Sequence, residues 1–141
     1  MIITEQDYKR VIGEAQLKAV TQADAEARQA AELEAEEEMA GYLRSRFNTQ
    51  AIFSAQGKER NPIILMYLCD IALYHLSASM PQRIGTEVRK ERYERAIRWL
   101  EGVQQGKIVP SLPAATAEGT DTPAAAGTMT YNSEPKLNNN W

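Results

Sequence analysis

The sequence predicts an all-α fold: a small four-helix domain over residues 1–109, followed by an extended C-terminal arm over residues 110–141. Three observations carry this. The chain is rich in Ala, Glu and Arg, side chains that lose little freedom in a helix. Two apolar-periodic segments carry helix punctuation, one opening at Asn61-Pro62 and one closing at Gly106. From Pro110 onward the composition changes to Pro, Ala, Thr and Asn, which cannot bury enough apolar surface to offset its own ordering entropy.

The elements follow in order. Thr4 with Asp7 three residues on forms a capping box, opening a short helix through Tyr8, Val11 and Ile12 that Gly13 ends. Thr21 with Asp24 repeats the signature and starts a long helix to about Arg46. Its narrow apolar stripe is Ala27, Ala30, Ala31, Leu33, Met39, Ala40 and Leu43, and Gly41 interrupts it near the end. Residues 48–60 are polar apart from Ile52 and Phe53, and read as an exposed loop or weak hairpin. Asn61 caps and Pro62 occupies the first position of the next helix, the central core element, with Ile64, Leu65, Leu68, Ile71, Ala72 and Leu76 at helical spacing. Pro81 and Gly85 end it. Thr86 caps a last helix to about Gln105 that turns Val88, Tyr93, Ala96, Ile97, Leu100 and Val103 inward, with Gly106 in the left-handed cap position. Lys107 to Val109 add a short extended piece.

Composition narrows the function. A net charge of −3 argues against a general nucleic-acid binder, whose footprint is strongly basic. The single cysteine, Cys69, excludes an internal disulfide and fits a reducing compartment. No apolar run approaches the ~20 residues that span a bilayer, and the N-terminus lacks a signal-peptide pattern. The expectation is a soluble, intracellular protein.

Cys69 and His75 are the only soft metal ligands, too few for a zinc centre, and both read as packing residues. Asp70 sits within the most apolar helix and needs a partner. The following helix offers Arg89, Arg92, Arg95 and Arg98, and an ion pair with Arg92 is expected. The acidic run Glu32, Glu34, Glu36, Glu37 and Glu38 reads either as a solvated face or as an inter-subunit or channel-facing one. The basic helix is partly explained by i,i+4 pairs, Glu91 with Arg95 and Glu94 with Arg98, and is otherwise an interface helix. Tyr93 and Trp99, six apart, each read as packing. No phosphate loop, GxSxG or HExxH motif is present, so no enzyme, cofactor or metal site is expected.

Five segments together carry a resemblance. They are Ile2-Ile3-Thr4-x-x-Asp7-Tyr8; Val11-Ile12-Gly13; Gly41-Tyr42-Leu43-x-x-Arg46-Phe47; Cys69-Asp70-Ile71-Ala72-Leu73-Tyr74; and Arg92-Tyr93-Glu94-x-Ala96-Ile97-x-Trp99-Leu100-x-x-Val103-x-x-Gly106-Lys107. In order and spacing the chain resembles, over roughly residues 1–109, the small head–tail connector (adaptor or head-completion) proteins of tailed bacteriophages, including Mu-like prophage members. It departs from them in the longer polar link at 48–60 and in the arm.

The resemblance implies a structural virion protein at the head–tail junction. It would form a homo-oligomeric ring, commonly twelvefold, under the portal protein, extend the DNA channel without sequence-specific contact, and receive a neck or tail protein. It further implies that Pro110, Leu112, Tyr131, Leu137 and Trp141 belong to a partner-docking arm. The alternatives are a helical assembly factor absent from the finished particle, or a small DNA-binding module.

Overall fold

A computed structural model describes Met1 and residues 3–115, and among these the fold is all-α. The elements are α1 (Glu5–Tyr8), α2 (Glu14–Thr21), α3 (Ala25–Leu43), α4 (Thr49–Ser54), a 3-10 turn (Gly57–Glu59), α5 (Pro62–Ser77), α6 (Pro81–Ile84) and α7 (Glu87–Gln104). No helix among the described residues is long and apolar enough to cross a membrane.

Helix α5 is the axle of the fold. Asn61 accepts from the amides of Ile63 and Ile64 at 3.0 and 3.1 Å, while Pro62 presets the first helical φ. Behind that cap, nearly every position from Ile64 to Leu73 is buried, on all sides of the helix. A helix apolar all round must be surrounded. On one side lies α3, which presents Ala31, Ala35, Met39, Ala40 and Leu43. The small alanines let the two backbones approach closely. On another lies α7, with Ala96, Leu100 and Val103. A second cluster joins Cys69, Leu73 and Leu76 of α5 to Tyr8, Val11, Leu17, Val20 and Ile84, holding α1, α2 and α6 on the helix.

Several boundaries differ from those the sequence predicts. Residues 14–21 are a helix in their own right: Thr21 ends α2, its hydroxyl donating back to the Lys18 carbonyl at 3.1 Å, and Asp24 is the true cap of α3. Gly41 leaves α3 unbroken, and α3 stops at Leu43. Helix α5 ends at Ser77, before Pro81, which opens α6 rather than closing α5. The segment 48–60 is neither exposed loop nor hairpin. Asn48 accepts from the Ala51 amide at 3.0 Å and starts α4, whose Ile52 is 3% exposed in the main cluster. Four helices thus become a three-helix centre with shorter flanking helices.

The chain's return is local. Gly106, at φ +79°, closes α7 in a Schellman arrangement: its amide donates to Val103, and that of Lys107 to Gly102 at 2.8 Å. Residues 111–115 then run antiparallel to 46–48. Asn48 N–H donates to Pro113 O at 2.8 Å, Ala115 N–H to Arg46 O at 3.1 Å, and Phe47 faces Ala114 in an isolated bridge.

At the other end, Asp7 ties three segments together. Its Oδ2 accepts from the Thr4 amide (2.7 Å) and hydroxyl (2.8 Å) and from Arg60 Nη1 (2.7 Å), while Asp7 is 4% exposed. Burial pushes its carboxyl up, but the bonds from Arg60 and Thr4 outweigh that and hold it below the usual range.

Two outcomes follow from this packing. Ile52→Ala should cost about 2–4 kcal/mol, read from the urea midpoint, because it empties a core site; a solvated loop residue would cost almost nothing. Because the native Asp7 carboxyl titrates below the unfolded one, its stabilisation is present above about pH 4 and is lost as pH falls through the native value. Thermal melts of Asp7→Asn against the parent should therefore differ most at neutral pH and converge in acid.

Candidate functional site

The acidic run of α3 does not form one face, because its members meet different donors. Glu32 accepts from Tyr8 OH at 2.7 Å, and Glu36 pairs with the Met1 ammonium at 2.8 Å. Glu38 turns toward the helix trio, where Oε1 lies 2.8 Å from His75 Nε2 and Oε2 takes the Tyr93 hydroxyl. Glu37 pairs on the surface with Arg44 at 3.0 Å. Glu34 is exposed and has no partner among the described residues. The single acidic face of five expected from the sequence is thus corrected: four members make intrachain bonds, Glu37 doing so on the surface, and only Glu34 and Glu37 point outward. Successive residues step about 100° around a helix, so a run of neighbouring glutamates necessarily spreads over several faces.

The same division runs through α7. Arg92 Nε donates to Asp70 Oδ1 at 2.7 Å, with the Asp70 side chain 2% exposed and that of Arg92 27%. The structure therefore brings together the pair expected to join the two helices. Burial pushes the Asp70 carboxyl up, and the nearby Arg92, Arg89 and Arg95 only partly offset it. Arg89 is not an interface residue in the sense expected. It is 6% exposed, and its Nη2 donates to the Val11 carbonyl at 3.1 Å, stapling α7 to the turn after α1. Its Nη1 is buried and lacks an acceptor among the described residues. A polar group left in this state typically costs about 1–3 kcal/mol.

Arg95 and Arg98 are exposed. The i,i+4 pair that forms on α7 is Lys90–Glu94 at 4.0 Å, in place of the Glu91–Arg95 and Glu94–Arg98 pairs expected.

His75 is more than a packing residue, since it bonds Glu38. The signal for that pair was a His on the polar edge of α5 opposite a Glu run. Cys69 is buried, and burial pushes its thiol far up, away from thiolate chemistry. Tyr93 stacks on Tyr74 at 4.0 Å and 7°, and Trp99 leans on Tyr67 at 5.1 Å and 36°. Both aromatics are packing residues on separate faces. No group of His, Cys, Asp or Glu among the described residues is arranged to hold a metal ion.

Of the expected docking arm, Pro110 is half-buried, and Leu112 packs on the chain's own main cluster beside the Asn61 Nδ2–Ser111 O bond. These two residues thus serve the domain itself. Tyr131, Leu137 and Trp141 lie outside the described residues. A groove of about 730 Å³ lies between the α1–α2 turn and the start of α7, lined among others by Lys9, Arg10, Thr86, Val88 and Arg89.

The Asp70 environment makes a signed prediction. Arg92→Met strands a buried carboxylate and should cost about 3 kcal/mol at neutral pH. A stranded carboxyl titrates higher still in the native state than when unfolded, so acidification should recover part of that loss. Denaturant melts from pH 7 to pH 5 should show the deficit shrinking; a deficit that grew would contradict the assignment.

No curated protein and no solved structure matches the chain. The family model described as Bacteriophage Mu, Gp36 matches residues 3–130, nearly the whole sequence. The chain belongs to that family of bacteriophage proteins.

Proposed function

We propose that this protein is a head–tail connector: a structural subunit that associates with copies of itself in a ring under the portal, extends the DNA channel and offers a platform to a neck or tail protein. Membership of the phage family supports the coarser part of this, a phage structural or morphogenetic protein. The finer part rests on one observation, the outer face of α3, which no other described residue covers. Its inner face is spent on α5, and its flanks on Tyr8, Met1, His75 and Tyr93. Ala30, Leu33, Glu34 and Gly41 nevertheless stay exposed, Leu33 at 58%. An apolar residue ringed by small and acidic ones on a rigid helix suits repeated packing against another protein surface.

Identical copies meeting through different faces close into a ring when the rotation allows, and many weak contacts then add to one stable collar. In this reading no residue is catalytic, and no cofactor or metal takes part. DNA passes without sequence-specific contact. Arg89 and Arg92 are engaged by acceptors of the chain itself, which leaves Lys90, Arg95 and Arg98 as the exposed cations of α7, and the net charge of −3 favours sliding over adhesion.

Light scattering on the full chain and on residues 1–115, alone and mixed with the portal protein of the same phage, tests the reading. The expected result is a ring-sized or portal-bound species, with portal capture weakened in the shorter chain. A monomer that ignores portal under every condition would move the function to an assembly factor that leaves before the particle is complete.

A further inference from the structure

We propose that the groove at the start of α7 receives the outer face of α3 from a second copy of this chain, with Glu34 of one copy facing Lys9 and Arg10 of the next. This rests on the ring reading above and gives it an interface.

The groove is built for an anion. Lys9 and Arg10 stand exposed in its lining, to which the buried Arg89 also belongs. The Arg89 side chain is almost wholly buried, and its Nη1 has no acceptor among the described residues. The start of α7 opens on the same space. Thr86 occupies the cap position there, but its hydroxyl accepts nothing from the first turn, so the partial positive charge of an 18-residue helix is left uncapped. Glu87 is the one acidic side chain lining the groove, and Val88, 58% exposed, gives the rim an apolar contact.

The outer face of α3 is the complement on the same molecule. It carries the apolar Leu33, the carboxylate of Glu34, which has no partner among the described residues, and the Glu37–Arg44 ion pair. Gly41 adds an independent hint. A Cβ built there meets nothing within 4 Å, so the fold itself has no need of a glycine at this position. Glycine inside a helix is disfavoured relative to alanine. Close approach by another chain supplies a reason that the single chain lacks.

The two faces share no residue, so the contact is head-to-tail, the type that generates rings. A carboxylate carried on a helix fits a concave, partly apolar groove, whereas duplex phosphates lie on a convex rod.

The test is reciprocal charge reversal in the full chain, read as assembled mass by light scattering, with circular dichroism checking the fold. Glu34→Lys and Arg10→Glu should each weaken association at least tenfold, and the double variant should recover it. Gly41→Leu should block assembly by bulk while leaving the helix content intact. If the parent assembles and the reversals leave its mass unchanged, the interface lies elsewhere and the ring reading survives. Reversals that dissociate the assembly without mutual rescue would overturn the pairing of these two faces. A parent that stays monomeric, with and without portal, would overturn both readings.

Discussion

The structure depends on the burial of α5 on every side. A helix with Leu68, Ile71 and Leu73 pointing in different directions has no solvent face, so α3, α7 and the α1–α2 pair must all close on it. Burying each such side chain contributes about 1.5–3 kcal/mol, which outweighs the cost of enclosing one carboxylate. Asp70 is tolerated at the centre because Arg92 arrives from α7 with a 2.7 Å bond. The pair also fixes the rotation of α7 against α5, since a turn of α7 in either direction would strand the charge.

From that constraint the remaining polar contacts follow as fasteners around the axle. Tyr8 with Glu32, Asp7 with Arg60, His75 and Tyr93 with Glu38, and Arg89 with the Val11 carbonyl each join two elements that α5 has brought close. The charged residues are consequently divided between two groups. Those on inner and flanking faces hold the domain together. Others, among them Glu34 on α3, Lys9 and Arg10 beside the start of α7, and Arg95 and Arg98, stay exposed to solvent.

Much of this was legible in the sequence where the signal is local. The Asn61-Pro62 start, the Thr4–Asp7 box, the Gly106 stop and the helical spacing of α5 and α7 all rest on interactions within a few residues, and their chemistry reads directly. So did the Asp70–Arg92 pair, because a lone charge in an apolar helix demands a partner. Helix α4 was not legible. It is six residues long in a largely polar stretch, and beyond its Asn48 cap it is the tertiary burial of Ile52 that holds it folded. The dispersal of the glutamates was hidden as well. Whether a surface carboxylate is free depends on donors 24 to 55 residues away in sequence, such as Tyr8 and Tyr93.

The return of residues 111–115 along 46–48 has a mechanical consequence. Arg46 holds both ends of this arrangement: its backbone carbonyl accepts from Ala115, and its guanidinium Nε donates to the Gln104 carbonyl at 3.3 Å, at the end of α7. Tension applied beyond Ala115 is therefore met first by the bonds at Arg46 and Asn48. Behind them stand Leu112 on the main cluster and the Ser111 carbonyl on the Asn61 side chain, so the end of the described chain is tied to the cap of α5 as well as to the end of α3.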